Sequence, residues 1–492
     1  MTAAAETAPA PVTAAPAPLA SSMTAIERAA IDKAASGPVL FFLGNAVLWL
    51  FAATLFGFIT SVQLHSPGFL ADIPCLTYGR LWPAYTNILS YGWCSLAGMG
   101  VAIWLMARLC RVKIRFCSVL IIGAILWQIG LTFGIASILG GRTSGVEWLE
   151  IPTPSAVLML IGYALVGLWG VAMFGLRREA SAYISVWYLL GAFVWFPWVF
   201  ATSQLTKSLP QLQGVVQNII AAWASQSFTS VWATAVGLAA AYYLIPKVIN
   251  RPIYSYNVAA IGFWVFILFA GLTGATRLSG GPVPAWLVTL SISATILLLV
   301  QVVTVGVNLI RTMQGQHHMV YHSPTVRFTY FGVICFLISS AFGLLSSLRT
   351  IDRIVHFTQF QNAQFQLVLY AFFSMTMFGA IYYILPRLVG CEWLSSSMIT
   401  LHFYGSAYGG GVIVAMLLFS GLATGLALAD PKATFEQIIQ VTAVYQWGRS
   451  LGWVLAGIGH LIFGLHFALM LLRIGQPGGE PTLFAPIEEE TH

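Results

Sequence analysis

The chain has 492 residues, 58% of them hydrophobic and 8% charged, with 22 Lys and Arg against 15 Asp and Glu. With a mean hydropathy of +0.84, a soluble domain is excluded and a polytopic helical membrane protein is what remains. The net charge of +7 is explained by loop cations that orient the spans and makes no case for nucleic acid.

Residues 1–23 are rich in Ala, Pro and Thr with no core-forming pattern, so they are expected to be disordered. They lack the basic start and apolar centre of a signal peptide. Glu27 to Lys33 predicts a short cytoplasmic amphipathic turn, which makes 1–38 a tail and lead-in. Apolar spans follow at about 39–62, 84–107, 117–139, 153–176, 181–204, 216–246, 256–276, 284–310, 328–348, 364–386, 399–428 and 446–472. Each is at or above the roughly 20 residues that a bilayer requires. The fold class is therefore all-α, with twelve transmembrane helices in one domain over 39–474 and a cytoplasmic tail over 475–492. An even number of spans puts both termini on one side. With that side cytoplasmic, Arg108, Arg111, Lys113, Arg115, Arg177, Arg178, Lys247, Arg251, Arg311, Arg327 and Arg387 all fall on inner loops.

The second span opens with Tyr78-Gly-Arg-Leu-Trp-Pro-Ala-Tyr-Thr-Asn87. Spans three to five carry aromatics but no chemistry that stands out. The sixth reads AAWASQSFTSVWATAVGLAAAYYLIPKV and the seventh FWVFILFAGLTGATRLSGG. Thr289, Ser291, Ser293 and Thr295 in the eighth are expected to bond back to their helix or across to a neighbour. SSAFGLLSSLRT closes the ninth. The tenth starts with Gln361, Asn362, Gln364 and Gln366, amides that are costly in hydrocarbon unless they find partners, and runs on to FGAIYYILPRL. Residues two apart on a helix diverge by roughly 200°, so Gln364 and Gln366 face opposite sides.

Six cysteines show no C-x-x-C spacing, so neither a metal knuckle nor a disulfide framework is indicated. No C-x-x-C-H motif is present either. His317, His318 and His322 fall in a cytoplasmic loop and read as solvated. His402, His460 and His466 fall in the last two spans, with no i, i+4 pair among them.

These stretches resemble the catalytic subunit, subunit I, of the cbb-type cytochrome c oxidases, in the heme-copper oxidase and nitric oxide reductase superfamily. The resemblance covers roughly residues 40–390, while the last two spans match in hydropathy alone. It implies a subunit I-like fold and a set of ligand positions. The low-spin heme histidines fall on Tyr85 and Gln366, and the active-site heme ligand falls on Gln364. The copper ligands fall on Gln226, Thr276 and Arg277, the redox tyrosine on Ala270 and the intramembrane glutamate on Phe342. None of the six ligand positions holds an imidazole, and Arg277 would repel a copper ion. The expectation is a degenerate homologue, with no heme or copper bound by this chain and no catalytic residues. It would be a pseudo-oxidase scaffold for a membrane-anchored cytochrome c subunit carrying heme c, in a prokaryotic inner membrane. Phe342, Phe365 and Tyr370, with lipid tails, would fill the emptied heme space. Two alternatives stay open: an oxygen or nitric oxide reductase with unconventional ligands, and a channel or quinone-binding subunit. For the last, Gln226, Ser227, Thr276, Arg277 and Gln364 would line a quinone or lipid pocket. Arg80, Arg142, Arg277, Arg349 and Arg353 would face outward for partner contacts.

Overall fold

The computed structural model describes residues 23–475. Among these, twelve helices are long and apolar enough to cross a membrane. They are α1 Ala25–His65, α2 Tyr78–Leu109, α3 Cys117–Leu139, α4 Thr153–Gly175, α5 Ile184–Ser208, α6 Val215–Val248, α7 Tyr256–Leu278, α8 Ala285–Met313, α9 Pro324–Ser347, α10 Gln359–Val389, α11 Ser396–Leu428 and α12 Phe435–Leu471. The expected disorder of residues 1–22 and the tail after 475 lie outside the described residues.

Two boundaries differ from expectation. Thr24 and Glu27 form a reciprocal capping box, so α1 starts at Ala25 and runs unbroken through Pro38. The amphipathic lead-in is thus the first turns of span one. A second capping box, Thr434 with Gln437, starts α12 at Phe435, well before the apolar run at 446.

Three helices form the centre. The apolar stretches of α2, α6 and α10 are 100%, 89% and 94% buried, against 28–56% for the other nine. The nine present one face to lipid, and the three touch protein all round. Close approach within the outer ring relies on small residues. A methyl added to Gly405 would meet Gly459 at 2.9 Å, and one added to Gly409 would meet the Ala456 nitrogen at 2.5 Å, so α11 and α12 pack backbone to backbone.

Each central helix contains one π-helical stretch: Ile88–Cys94, Ser227–Ala233 and Leu367–Ser374. A hydroxyl stands at the end of each and reaches back five residues. Ser95 Oγ donates to the Ser90 carbonyl (2.9 Å), Thr234 Oγ1 to that of Thr229 (3.1 Å) and Ser374 Oγ to that of Leu369 (2.6 Å). Such wide turns are rare and cluster at functional sites, because the extra residue re-aims the side chains on either side. Here they begin three residues after Tyr85 and directly after Gln226 and Gln366.

The seventh helix breaks where the central trio needs room. Its regular part ends at Phe269, and short 3-10 turns Ala270–Leu272 and Ala275–Leu278 follow around Gly274, at φ +121°. A Cβ there would press on Ala222, Trp223 and Gln226 of α6 at 3.1–3.2 Å. The carbonyls freed by unwinding are satisfied inside the protein. Trp223 Nε1 donates to Gly271 O and Ser291 Oγ to Leu272 O, both at 2.9 Å.

Candidate functional site

The unwinding of α7 carries Thr276 and Arg277 to the wall of a cavity of about 120 Å³, where they meet Gln226 of α6 and Gln364 of α10. Thr229, Ser230, Thr295, Gln301, Ser339, Ser340, Ser346, Gln361 and Asp352 add polar lining, with Leu298, Val302, Phe336 and Val368 between them. Most of the hydroxyls are held by their own helices. Ser339 and Ser340 donate to Phe336 O (2.9 and 2.8 Å), and Thr295 donates to Ser291 O (2.8 Å), as expected for span eight. Gln226 Nε2 donates to Ser230 Oγ at 2.5 Å, and Gln364 Oε1 accepts from Ser346 Oγ at 3.3 Å. Arg277 forms no hydrogen bond or ion pair with any other described residue, although Glu147 acts on it through space. Asp352 is paired with His356 at 3.0 Å.

Ser227 corrects the expected pocket. One residue on from Gln226 the helix has turned by about 100°, and Ser227 lies instead beside a void of about 20 Å³ among Tyr91, Trp195, Phe200 and Phe228. Its buried Oγ has no hydrogen-bond partner.

The opposite face of α10 looks different. Gln366 Nε2 donates to the Tyr85 hydroxyl at 2.5 Å, so two side chains 281 residues apart in the chain touch directly. Trp453 of α12 stands edge-on to Tyr85, with centroids 5.6 Å apart, and fills the hollow left by Gly57, where a Cβ would lie 2.6 Å from its ring. Over this side sits the loop 140–152. Trp148, at φ +69°, sets its ring on Phe365 (5.2 Å) and Phe228 (6.4 Å). Buried Glu150 accepts from Asn87 Nδ2 at 3.0 Å. Burial pushes the Glu150 carboxyl above the usual carboxylate range, with the Asn87 bond opposing it.

Of the expected space-fillers, Tyr370 is buried and hydrogen-bonded to His460 Nε2 (2.8 Å), Phe365 lies under Trp148, and Phe342 is half-buried against Phe360. Trp453 was not foreseen. Of the five arginines expected to face outward, Arg80 donates to Leu139 O and Arg349 to Thr289 Oγ1. Arg277 turns inward, leaving Arg142 and Arg353 exposed without such bonds. The fold also brings His402 within 6.4 Å of His460, ring to ring, a neighbourhood that spacing along one helix could not reveal. Each is tied to a tyrosine, His402 to Tyr382 and His460 to Tyr370. Asp352 and Gln301 are cavity residues that motif matching passed over; a glutamine inside span eight was the available signal.

Residues 37–455 match the family described as Cytochrome C and Quinol oxidase polypeptide I. The chain belongs to that family. The match runs beyond span ten into α12, so the last two spans share more than hydropathy. This subunit I homologue is 24% identical to the Cbb3-type cytochrome c oxidase subunit CcoN1 of Stutzerimonas stutzeri over 443 residues, 87% of this chain and 90% of that one. It is 23% identical to a bacteroid cytochrome c oxidase subunit 1 homolog of Bradyrhizobium diazoefficiens over 455 residues, 89% of this chain and 83% of the relative. Its fold is similar to that of a solved heme-copper terminal oxidase dimer, with a TM-score of 0.71 and 15% identity over 94% of this chain and 87% of that one.

The family's cofactors do not fit the residues present. Axial ligands stand on opposite faces of a porphyrin with the iron between them, and Tyr85 and Gln366 are hydrogen-bonded to each other. At the position where the resemblance sets copper, Arg277 brings a fixed positive charge and no lone pair. The cavity of about 120 Å³ is below the roughly 150 Å³ that accommodates a single benzene, and a porphyrin is several times larger. Among the described residues, no group of three or more His, Cys, Asp or Glu is placed to hold a metal ion. The chain is a degenerate subunit I, and this donor set argues against the family's usual catalysis.

Proposed function

We propose that this chain is a heme-free, copper-free pseudo-oxidase subunit that serves as the membrane scaffold for a membrane-anchored cytochrome c subunit. It works in a respiratory electron-transfer complex of a prokaryotic inner membrane, with both termini cytoplasmic and the redox centres in other chains, heme c among them. The observation that carries this reading is the Tyr85–Gln366 hydrogen bond, a direct contact between the two side chains that the resemblance sets at the low-spin heme positions. Arg277 at the copper position supports it independently. The relatives are oxidase subunits by name, and a retained fold with replaced ligands favours a retained assembly role over retained chemistry. Exposed Arg142 and Arg353 are the cations this reading offers to a partner.

The test is a reduced-minus-oxidised spectrum, a pyridine hemochrome assay and a copper assay on the chain separated from its partners. The expected result is neither heme b nor copper, with a c-type spectrum in material purified as a complex. Stoichiometric heme b in the isolated chain overturns the reading and makes Tyr85, Gln364 and Gln366 the ligands to test.

A further inference from the structure

We propose that the cavity at the former active-site position is a binding site for a small oxyanion, with Arg277 as its anchor. The proposal deepens the metal-free reading above and rests on it. A guanidinium stays charged at any physiological pH, and placing one inside a membrane protein without a partner is costly. Arg277 lines the cavity with no hydrogen bond or ion pair to another described residue. The carboxylate across the cavity, Asp352, is engaged by His356 at 3.0 Å, and Glu147 acts only through space. The guanidinium therefore has no directly bonded counter-charge, and the cavity beside it offers a volume in which to receive one.

Shape and size narrow the ligand. A cavity of about 120 Å³ with this lining does not stay dry, because empty cavities in proteins are apolar. It is too small for a substituted quinone ring, yet it takes a three- or four-atom anion with a few waters. The planar guanidinium fork matches a trigonal oxyanion or carboxylate in a bidentate pair. Gln364 adds a donor. Its Oε1 accepts from Ser346, which leaves the Nε2 hydrogens for the cavity. Gln361 brings a second amide to the same wall. The back-bonded hydroxyls of Ser340 and Thr295 turn oxygen lone pairs inward, where they suit the accompanying waters.

The experiment is thermal unfolding of the purified full chain in detergent, followed by tryptophan fluorescence, during titration with sodium nitrate and separately sodium formate. Sodium gluconate, an anion too large for the cavity, holds ionic strength constant. A saturable rise in midpoint is expected with both anions. Arg277→Gln should raise the half-saturating concentration at least tenfold. Ser227→Ala, next to the cavity in sequence but outside it, should leave the response unchanged. Should Arg277→Gln fail to fold, Gln364→Leu carries the test, with severalfold weakening expected. A rise that never saturates, or that is the same in wild type and both variants, overturns the proposal. So does stabilisation by a short-chain ubiquinone analogue with none by nitrate. Heme and copper assays on the same sample separate the two readings: metal in stoichiometric amount breaks the scaffold reading, whereas a metal-free chain that ignores nitrate and formate breaks this one alone.

Discussion

The two faces of α10 carry the same kind of residue, a glutamine where the resemblance sets a heme ligand, and come to opposite ends. On one face Gln366 meets Tyr85, and Trp453 packs edge-on against that ring. On the other, Gln364 borders a hollow with hydroxyls, amides, a carboxylate and an unpaired guanidinium on its wall. Replacing a metal ligand does not by itself decide what becomes of the site. A large aromatic from a neighbouring helix converts one position into core, while a charge and a broken helix keep the other open, because neither Arg277 nor the unwound end of α7 can be packed against apolar side chains. The first has become structure, and the second has kept the physical attributes of a site.

The comparison is broken most readily at Trp453. Trp453→Ala should cost about 3–5 kcal/mol in reversible unfolding from detergent, as expected for a buried aromatic whose surroundings cannot collapse. A loss below about 1 kcal/mol would mean that the Tyr85 side is not a packed core. Next in size is Tyr85→Phe. It removes one oxygen and leaves the buried Gln366 amide without its partner, at about 1–3 kcal/mol. Both changes act only on the closed face, and neither should alter the response of the cavity to anions.

A third prediction concerns pH. The unfolded chain ionises Glu150 near the ordinary value of 4.5, whereas burial raises the folded value above it. The contribution of this group is therefore fully present below pH 4.5 and is lost as pH rises through the folded value. Glu150→Gln removes that titration while keeping an acceptor for Asn87. The variant should gain on the wild type as pH rises from 4.5 toward 8, read as a flatter profile of midpoint against pH.

Much of this was legible in the sequence. Spans announce themselves because hydrocarbon tolerates no irregular, lipid-exposed backbone, and all twelve are found. The ends were harder, since Glu27 and Lys33 before span one, and Glu436, Gln437 and Gln440 before span twelve, dilute the apolar signal of helices that capping boxes nonetheless start at Ala25 and Phe435. The opposed faces of Gln364 and Gln366 follow from helical spacing alone. What spacing cannot give is contact between distant elements: Trp453 behind Tyr85, His402 near His460, Asp352 on the cavity wall. Ser227 was misplaced for the plainer reason that adjacent residues on a helix point about 100° apart.

The smallest expected effect is also the sharpest control on the contrast. Ser340→Ala and Thr295→Val each remove one hydroxyl, as Tyr85→Phe does. Ser340 and Thr295 spend theirs on a carbonyl of their own helix, at 2.8 Å in both cases, and those carbonyls keep their regular backbone partners. No buried group is orphaned, and the lost oxygen faces the cavity. Each substitution should therefore shift stability by no more than about 0.5 kcal/mol. If instead they matched Tyr85→Phe, the hydroxyls of the cavity would be as tightly committed as those of the core, and the open face would be a second closed one with a void in it. Near-neutral substitutions beside a costly Tyr85→Phe would show that the two sides of one helix follow different rules, one set by packing and the other by what enters.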